Sequence, residues 1–512
     1  MVDPRTPVIV GVGQSAENLG DSSYQGMSSV ELATGAATAA LSDTGVDAAA
    51  VARAIDTVAG IRQFEISGRT PAPLSKSTNY PRSVARRIGA SPARAILEPI
   101  GGQGPQHLLT EFAGAIAAVE ADVVMLFGSE NTSSLRYFAD RQDKPDHSET
   151  VDGQLEDRGY GYDGIFDEYT IAHGLIGAPV QYGLLENARR ARLGLSVADY
   201  RQRMGELFAP FTKVAAKNPF SSSPVERTVE ELTTVTEGNR MICDPYPRLL
   251  LARDQVNQGA AVLLMSVEAA GRLGVPEEKW VYLRGHADMV EQKLLDRVDV
   301  STSRASVMAV HEALSVAGIG LDDVATFDLY SCFAIPVFTI CDGVGLATDD
   351  QRGLTLTGGL PFFGGPGNNY SMHGIAETVN EMRYRQGQFG LVGANGGIMS
   401  KYSVGVYSTE PGDWTADRSA ELCDEVAGFP KVALTVAADG PATIETYSVR
   451  YDWPVRTGVI MGRLNSDNSR FLATSKDEDL VALLSDDDPL GAAITVRSTE
   501  HGNRATVRNQ GP

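Results

Sequence analysis

Residues 41–51 read LSDTGVDAAAV, and residues 314–324 read LSVAGIGLDDV. Each follows an Ala-rich stretch with apolar residues at helical spacing, residues 29–43 in the first case. The offset between the two is 314 − 41 = 273 residues. Carried back to PVIVGV at residues 7–12, a short β-rich run, it sets Val8 on Val281 inside WVYLRG, a second strand pattern. Downstream, an apolar helix over residues 107–119 runs into the strand DVVMLFG, and a helix near residues 374–385 runs into FGLVGANGG. Chance similarity of two Ala/Leu helices accounts for one matched helix but not for four elements in the same order. The pattern predicts two duplicated α/β halves. Continuous apolar strands such as DVVMLFG and QGAAVLLMS (residues 258–266) belong inside sheets covered by helices.

Two segments fall outside the repeat. Residues 131–245 are rich in charge, Tyr and turn residues, with mixed-face helices such as residues 196–209, and read as a long insertion beyond the main sheet. Residues 411–512 carry the β-rich runs KVALTV, ATIETYSVRY, TGVIMGRL, RFLAT and GAAITVR with one helix candidate, DEDLVALL. Five strands and a helix suit a small OB-like barrel. The expected organisation is a first half over residues 1–270 with its insertion at about 131–245, a second half over 271–410, and an additional β-rich domain over 411–512.

The chain has 512 residues, too many for a single small module at roughly 150 per domain. It carries 44 Lys and Arg against 65 Asp and Glu, so its net charge is −21, with no basic block. That balance argues against nucleic acid and anionic membrane as partners. Phosphorylated small molecules remain compatible, since a few local cations or helix N-termini hold them. Cys243, Cys332, Cys341 and Cys423 lack metal-ligand spacing and are too few for a disulfide framework, so no metal is expected. No signal peptide and no apolar run near 18 residues is present; the expectation is a cytoplasmic protein without a membrane span.

GVGQSA (residues 11–16) fits a dinucleotide fingerprint, but the next helix starts near Ser29, too far on to meet a pyrophosphate, so it reads as a strand-to-loop turn. GxSxG, GxxxxGK[ST] and HExxH are absent. IGGQGPQHLL (100–109) is a glycine turn opening a helix: either an anion or oxyanion cradle at Gly101 and Gly102, or a tight strand-helix turn. GGLPFFGGPGNNYSMHG (358–374) gathers Gly365, Asn368, Asn369, Tyr370 and His373 before another helix, either for catalytic positioning or for capping. DLYSCFAIP (328–336) sets Tyr330 and Cys332 at a strand end, where α/β sheets carry ligands; Cys332 equally suits a core position.

Together these segments resemble the thiolase superfamily over residues 5–410, most nearly the sterol-carrier-protein thiolase-like proteins. The resemblance implies a duplicated thiolase fold, a five-layered α/β/α/β/α sandwich whose motifs meet between the halves. It also implies a loop domain that helps hold CoA. The family's acylated cysteine in CxSGLQ corresponds to Gly101, its oxyanion Asn or His to Tyr330 in YSCF, its GHP histidine to Gly365, and its base cysteine in CxGGG to Ala394, with Asn395 and Gly396 following. All four side chains are replaced, which implies an acetyl-CoA acetyltransferase-like protein whose acyltransferase activity is altered or lost.

Three functions follow from that resemblance. The first is CoA or acyl-CoA binding in lipid or sterol metabolism, with CoA as a ligand and no covalently bound cofactor. The second is retro-aldol C–C cleavage of a β-hydroxyacyl-CoA, as in the steroid side-chain aldolases, with Tyr330 as acid or base and Tyr370 or His373 as its complement. The third is a non-catalytic scaffold or sensor that recruits a protein through residues 411–512. Asn395 and Cys332 complete the candidate set. The sequence leaves monomer and homodimer both open.

Overall fold

The computed structural model describes residues 2–68, 72–162, 165–452, 454–486 and 489–507. The first half runs β1 (Pro7–Ala16), α1 (Ser29–Asp43), β2 (Thr57–Ile61), β3 (Arg94–Glu98), α2 (Gly104–Ala117) and β4 (Val123–Glu130). After helices α3 (Ala178–Arg192) and α4 (Val197–Ala215) it returns with β5 (Gln258–Ser266). The second half runs β6 (Val281–Val290), α5 (Arg304–Ala317), β7 (Val324–Leu329), α6 (Ala334–Val344), α7 (Tyr370–Tyr384), β8 (Phe389–Gly396) and β9 (Lys401–Ser408).

The sheet order is β7-β8-β9-β6-β1-β5-β4-β2-β3, with the short strand Glu156–Asp157 beyond β3. Read outward from the centre, each half repeats the other: β1, β5, β4, β2 on one side and β6, β9, β8, β7 on the other. β2–β4 and β7–β8 are parallel; β4–β5, β5–β1, β8–β9 and β9–β6 are antiparallel. At the centre Val8 pairs with Tyr282 and Ile9 with Val281. The offset of 273 sends 8 to 281 and 9 to 282, so these two pairs exchange under the duplication.

Helices fill the layers between and outside the half-sheets. α2 and α7 lie between them, where Leu108, Phe112 and Ile116 pack with Ile375, Val379 and Met382. α1 and α5 cover the outer faces, and each comes close because its strand offers a glycine. A Cβ on Gly11 would lie 2.1 Å from the Ala40 carbonyl, and one on Gly285 would lie 2.0 Å from that of Ala313. The glycine of GVGQSA is therefore a packing glycine inside a strand that continues to Ala16, rather than part of a turn. The helix partners are repeat equivalents, since 40 + 273 = 313, while Gly285 stands one position past the equivalent of Gly11, since 11 + 273 = 284.

Among the described residues between Glu130 and Gln258, the chain pairs with the sheet only at the edge strand Glu156–Asp157. Between them α3 and α4 pack Leu184, Tyr200, Phe208 and Phe211 into one core with Phe333, Phe338 and Phe362 of the second half. The C-terminal segment opens with α8 (Ser419–Ala427). It continues through β10 (Gly440–Asp452), β11 (Val455–Leu464), β12 (Arg470–Ser475), α9 (Glu478–Asp486), β13 (Ala493–Arg497) and β14 (Arg504–Val507). β10 pairs with β11 and β13, β11 with β12, β12 with β14, and β14 with β13, which closes a small five-stranded barrel. Its interior holds Ile444, Phe471, Leu480 and Ile494.

KVALTV is not one of the barrel strands, and Arg504–Val507 supplies the fifth. The backbone of KVALTV is taken up across the seam with the body: Val432 N–H donates to the Asp296 carbonyl, and Arg470 N–H to that of Ala433. The barrel also recruits the insertion, because Cys243 in the short strand Met241–Cys243 pairs with Arg450 of β10. No described helix is long and apolar enough to cross a membrane.

Candidate functional site

A cavity of about 450 Å³ opens between the halves at the ends of β3, β7 and β8, closed on one side by α3. Its walls include Gly101, Gly102, Tyr182, Tyr330, Cys332, Gly365, Asn395 and Gly396. Asn368 lines it too, so eight of the residues singled out from sequence meet here. α2 and α7 both start at its edge, directly after Gly102–Gln103 and Asn368–Asn369, so two positive helix ends abut one space. Hydrogen bonds tie the two glycine segments together across the halves. Gly101 N–H donates to Asn368 Oδ1 (2.9 Å), Asn368 Nδ2 to the Arg62 carbonyl (2.8 Å), and the Ser371 hydroxyl to the Gly102 carbonyl (2.5 Å).

Tyr330 follows β7 directly, and its N–H donates to the Gly393 carbonyl at 3.0 Å. Its ring is buried, yet its hydroxyl has no hydrogen-bond partner among the described residues. A Cβ on Gly102 would lie 2.2 Å from that hydroxyl, so only glycine at 102 leaves it in place. Burial, with the neighbouring Cys332 thiol as a smaller cause, raises the phenol well above its ordinary value. Tyr330 is therefore a neutral hydrogen-bond donor near pH 7. Burial also pushes the Cys332 thiol up to about 12, whereas a nucleophilic cysteine needs a lowered value.

Asn395 links these groups to the insertion. Tyr182 donates its hydroxyl proton to the Gly397 carbonyl (3.0 Å) and so accepts from Asn395 Nδ2 (2.8 Å). That fixes the amide orientation and leaves Asn395 Oδ1 buried without a partner. The Tyr182 ring stacks on Phe333 at 4.4 Å.

Sequence reasoning missed Tyr182, Phe333 and Gln103. Gln103 Oε1 is buried and unpartnered. It lies 2.1 Å from where a Cβ on Gly101 would stand and 1.8 Å from one on Gly396. The amide thus occupies the space that side chains at those two positions would take. The paired glycines were the available signal for it; Tyr182 and Phe333 had none.

Two candidates stand elsewhere. His373 is fully buried and does not line the cavity. Its Nδ1 meets Gln14 Oε1 at 2.7 Å, Gln14 Nε2 reaches Glu377 at 2.9 Å, and the ring packs on Phe363. Burial lowers His373 to about 3, so it is neutral and ties α7 to β1. Tyr370 is also fully buried and outside the cavity. Its hydroxyl bonds Thr357 Oγ1 (2.5 Å), Thr357 donates to Asp328 (3.0 Å), and its ring meets that of Tyr330 edge-on at 5.4 Å. It braces Tyr330 from behind. Both residues begin α7, and a buried helix between two sheets turns its first-turn side chains into packing.

Among the described residues the only charged side chain lining the cavity is Asp254, which is exposed and paired with Arg136 at 2.6 Å. The site therefore offers a neutral donor and two helix ends to a polarised oxygen. It has no thiolate and no enclosed base.

A family model for the additional C-terminal domain of thiolase-like protein type 1 matches residues 421–501. The crystal structure of a monomeric SCP2-thiolase-like protein type 1 from Mycobacterium smegmatis is 67% identical, covers 99% of this chain and 100% of its own, and superposes with a TM-score of 0.87. An aldolase, Ltp2-ChsH2(DUF35), shares the fold at 18% identity over 79% of this chain and 98% of its own, TM-score 0.57. An acetyl-CoA acetyltransferase from Syntrophomonas wolfei does so at 15% over 79% and 99%, TM-score 0.55. No curated protein matches the chain. Identity at this level over the whole length, on a duplicated sandwich with an appended barrel, makes the chain a member of the type 1 SCP2-thiolase-like proteins.

Proposed function

We propose that the chain binds CoA thioesters in the central cavity without transferring their acyl group. The observation that carries this is an arginine rim in an acidic protein. Arg248 and Arg253 flank the cavity-lining segment Leu251–Ala252, and Arg227 and Arg248 line a separate recess of about 490 Å³ together with Glu230 and Glu231. None of the three makes an ion pair among the described residues, and Arg253 Nε is buried without a partner. Unpaired arginines near a largely apolar cavity whose one charged lining residue, Asp254, is paired with Arg136 match a ligand with phosphates at one end and a neutral thioester at the other. Tyr330 and the two helix ends would hold the thioester carbonyl.

Acyl transfer is disfavoured by Gly101 at the nucleophile position and by a protonated Cys332. Cleavage of a β-hydroxyacyl thioester would need a base opposite Tyr330, and the one carboxylate lining the cavity among the described residues, Asp254, is exposed and paired with Arg136. Free cysteines at 243, 332, 341 and 423 suit work in a reducing cytoplasm. We take the working unit to be a monomer, as the M. smegmatis relative is described.

Calorimetric titration with CoA and with acetyl-, β-ketoacyl- and β-hydroxyacyl-CoA tests the reading. Binding is expected, with no acyl adduct and no product by mass spectrometry. Tyr330→Phe should weaken thioesters about five-fold, the value of one net hydrogen bond, and free CoA much less. No heat and no thermal stabilisation with any of them would overturn it; cleaved product without an adduct would favour the lyase.

A further inference from the structure

Beside the central cavity lies a second recess of about 430 Å³, on the first half. Phe64, Pro73, Leu135 and Ala139 supply its apolar wall. Phe64 and Asp254 line both spaces, so the recess abuts the cavity across these two side chains. Phe64 is held at the junction by its N–H, which donates to the buried Glu130 carboxyl at 2.8 Å. Thr132 also lines the recess, but its hydroxyl donates to the backbone carbonyls of Asp254 and Val256. The remaining polar groups are Arg136 and Asp254, paired with each other at 2.6 Å and each about half exposed (51% and 53%). An exposed pair of this kind contributes little and parts easily.

We propose that the acyl tail of the bound thioester passes Phe64 and lies in this recess, which makes the ligand a medium- or long-chain acyl thioester. This rests on the thioester reading above. A recess whose polar groups are already engaged recognises hydrocarbon and little else. An apolar cavity of about 150 Å³ accommodates one benzene, so 430 Å³ has room for roughly a dozen tail carbons. The occupant is the tail of the cavity's own ligand because the two spaces share a wall.

The test is a series of saturated acyl-CoAs, from acetyl to hexadecanoyl, titrated into the full chain. Affinity should rise about three-fold per methylene, a little under the value for full burial, and level off once the recess is filled. Ala139→Trp fills the recess from an exposed position. It should collapse the ratio of dodecanoyl- to acetyl-CoA affinity toward one, and Ala139→Glu should do the same by charge. A flat series while CoA still binds would overturn the recess but leave the cavity reading intact. A series that keeps its slope in both variants would put the tail elsewhere and also overturn it. If neither CoA nor any ester binds, the cavity reading falls first and this one with it.

Discussion

The seam between barrel and body and the floor of the central cavity are both buried and both polar, and they differ in what is left over. At the seam Arg470 is fully buried. Its guanidinium donates to both oxygens of Glu445 (2.9 and 2.6 Å) and to the carbonyls of Leu295 (2.7 Å) and Arg297 (2.6 Å). Arg463 completes Glu445 at 2.7 Å. On the cavity floor nothing is charged, and Tyr330 Oη, Asn395 Oδ1 and Gln103 Oε1 have no partner among the described residues. Polar groups consumed by partners hold elements together, whereas buried polar groups left neutral and unmatched cost the fold stability. The four replaced family side chains therefore do not leave an ordinary core behind. The floor stays polar without becoming charged.

The largest expected effect breaks the seam. Arg470→Met leaves Glu445 with Arg463 alone and strands two backbone carbonyls, so urea unfolding should show a loss of about 3–5 kcal/mol. Tyr330→Phe removes a hydroxyl without a partner and should leave the same curve nearly unchanged. Equal losses in the two variants would erase the distinction.

A second test uses pH. Burial would raise Glu445, but hydrogen bonds from Arg470 and Arg463 outweigh it and hold the carboxyl below its ordinary value. Away from the seam, burial pushes Glu65 and Glu186 up to about 7 from 4.5, only partly offset by Ser29 for Glu65 and by Tyr200 and Tyr246 for Glu186. A carboxyl raised in the folded state stabilises below its unfolded value, and that contribution is lost as pH climbs through the folded one. Stability should fall between pH 4.5 and about 7, by up to about 3 kcal/mol for each glutamate. Glu445 acts in the opposite sense, losing its contribution as pH drops below the ordinary carboxylate range. Glu186→Gln should flatten the slope between pH 4.5 and 7. An unchanged slope in both Glu186→Gln and Glu65→Gln would contradict the assignment.

The smallest effect is a labelling rate. With its thiol near 12, Cys332 is about one part in ten thousand thiolate at pH 8. Iodoacetamide should leave it unmodified in the native chain for hours. Rapid alkylation there would mean a lowered thiol and would revive a covalent mechanism.

Much of the fold was legible because it is repeated and local. The 273-residue offset, the apolar strands and the Ala-rich helices recur in order, and each depends on periods of two or 3.6 within a short window. Where reading failed, the backbone's partner was remote. KVALTV has strand composition, but its hydrogen bonds go to Asp296 and Arg470 at the seam. In the site, the glycines standing in place of family side chains at 101 and 365 were readable, as was Tyr330 at a strand end. Gln103 was not, because its role depends on two glycines, one of them in the other half.

By itself, then, the sequence determined the duplicated halves, the β-rich appendage and the absence of an acylatable side chain at position 101. All of these are properties of residue type and short-range spacing. Only the tertiary structure decided that Tyr330 lines the central cavity while Tyr370 and His373 serve as packing. It also decided that Tyr182, 213 positions from Asn395, completes the floor, and that Phe64 lines two neighbouring spaces. A side chain's destination is set by which distant surfaces the fold brings against it, and that information is not local to any stretch of the chain.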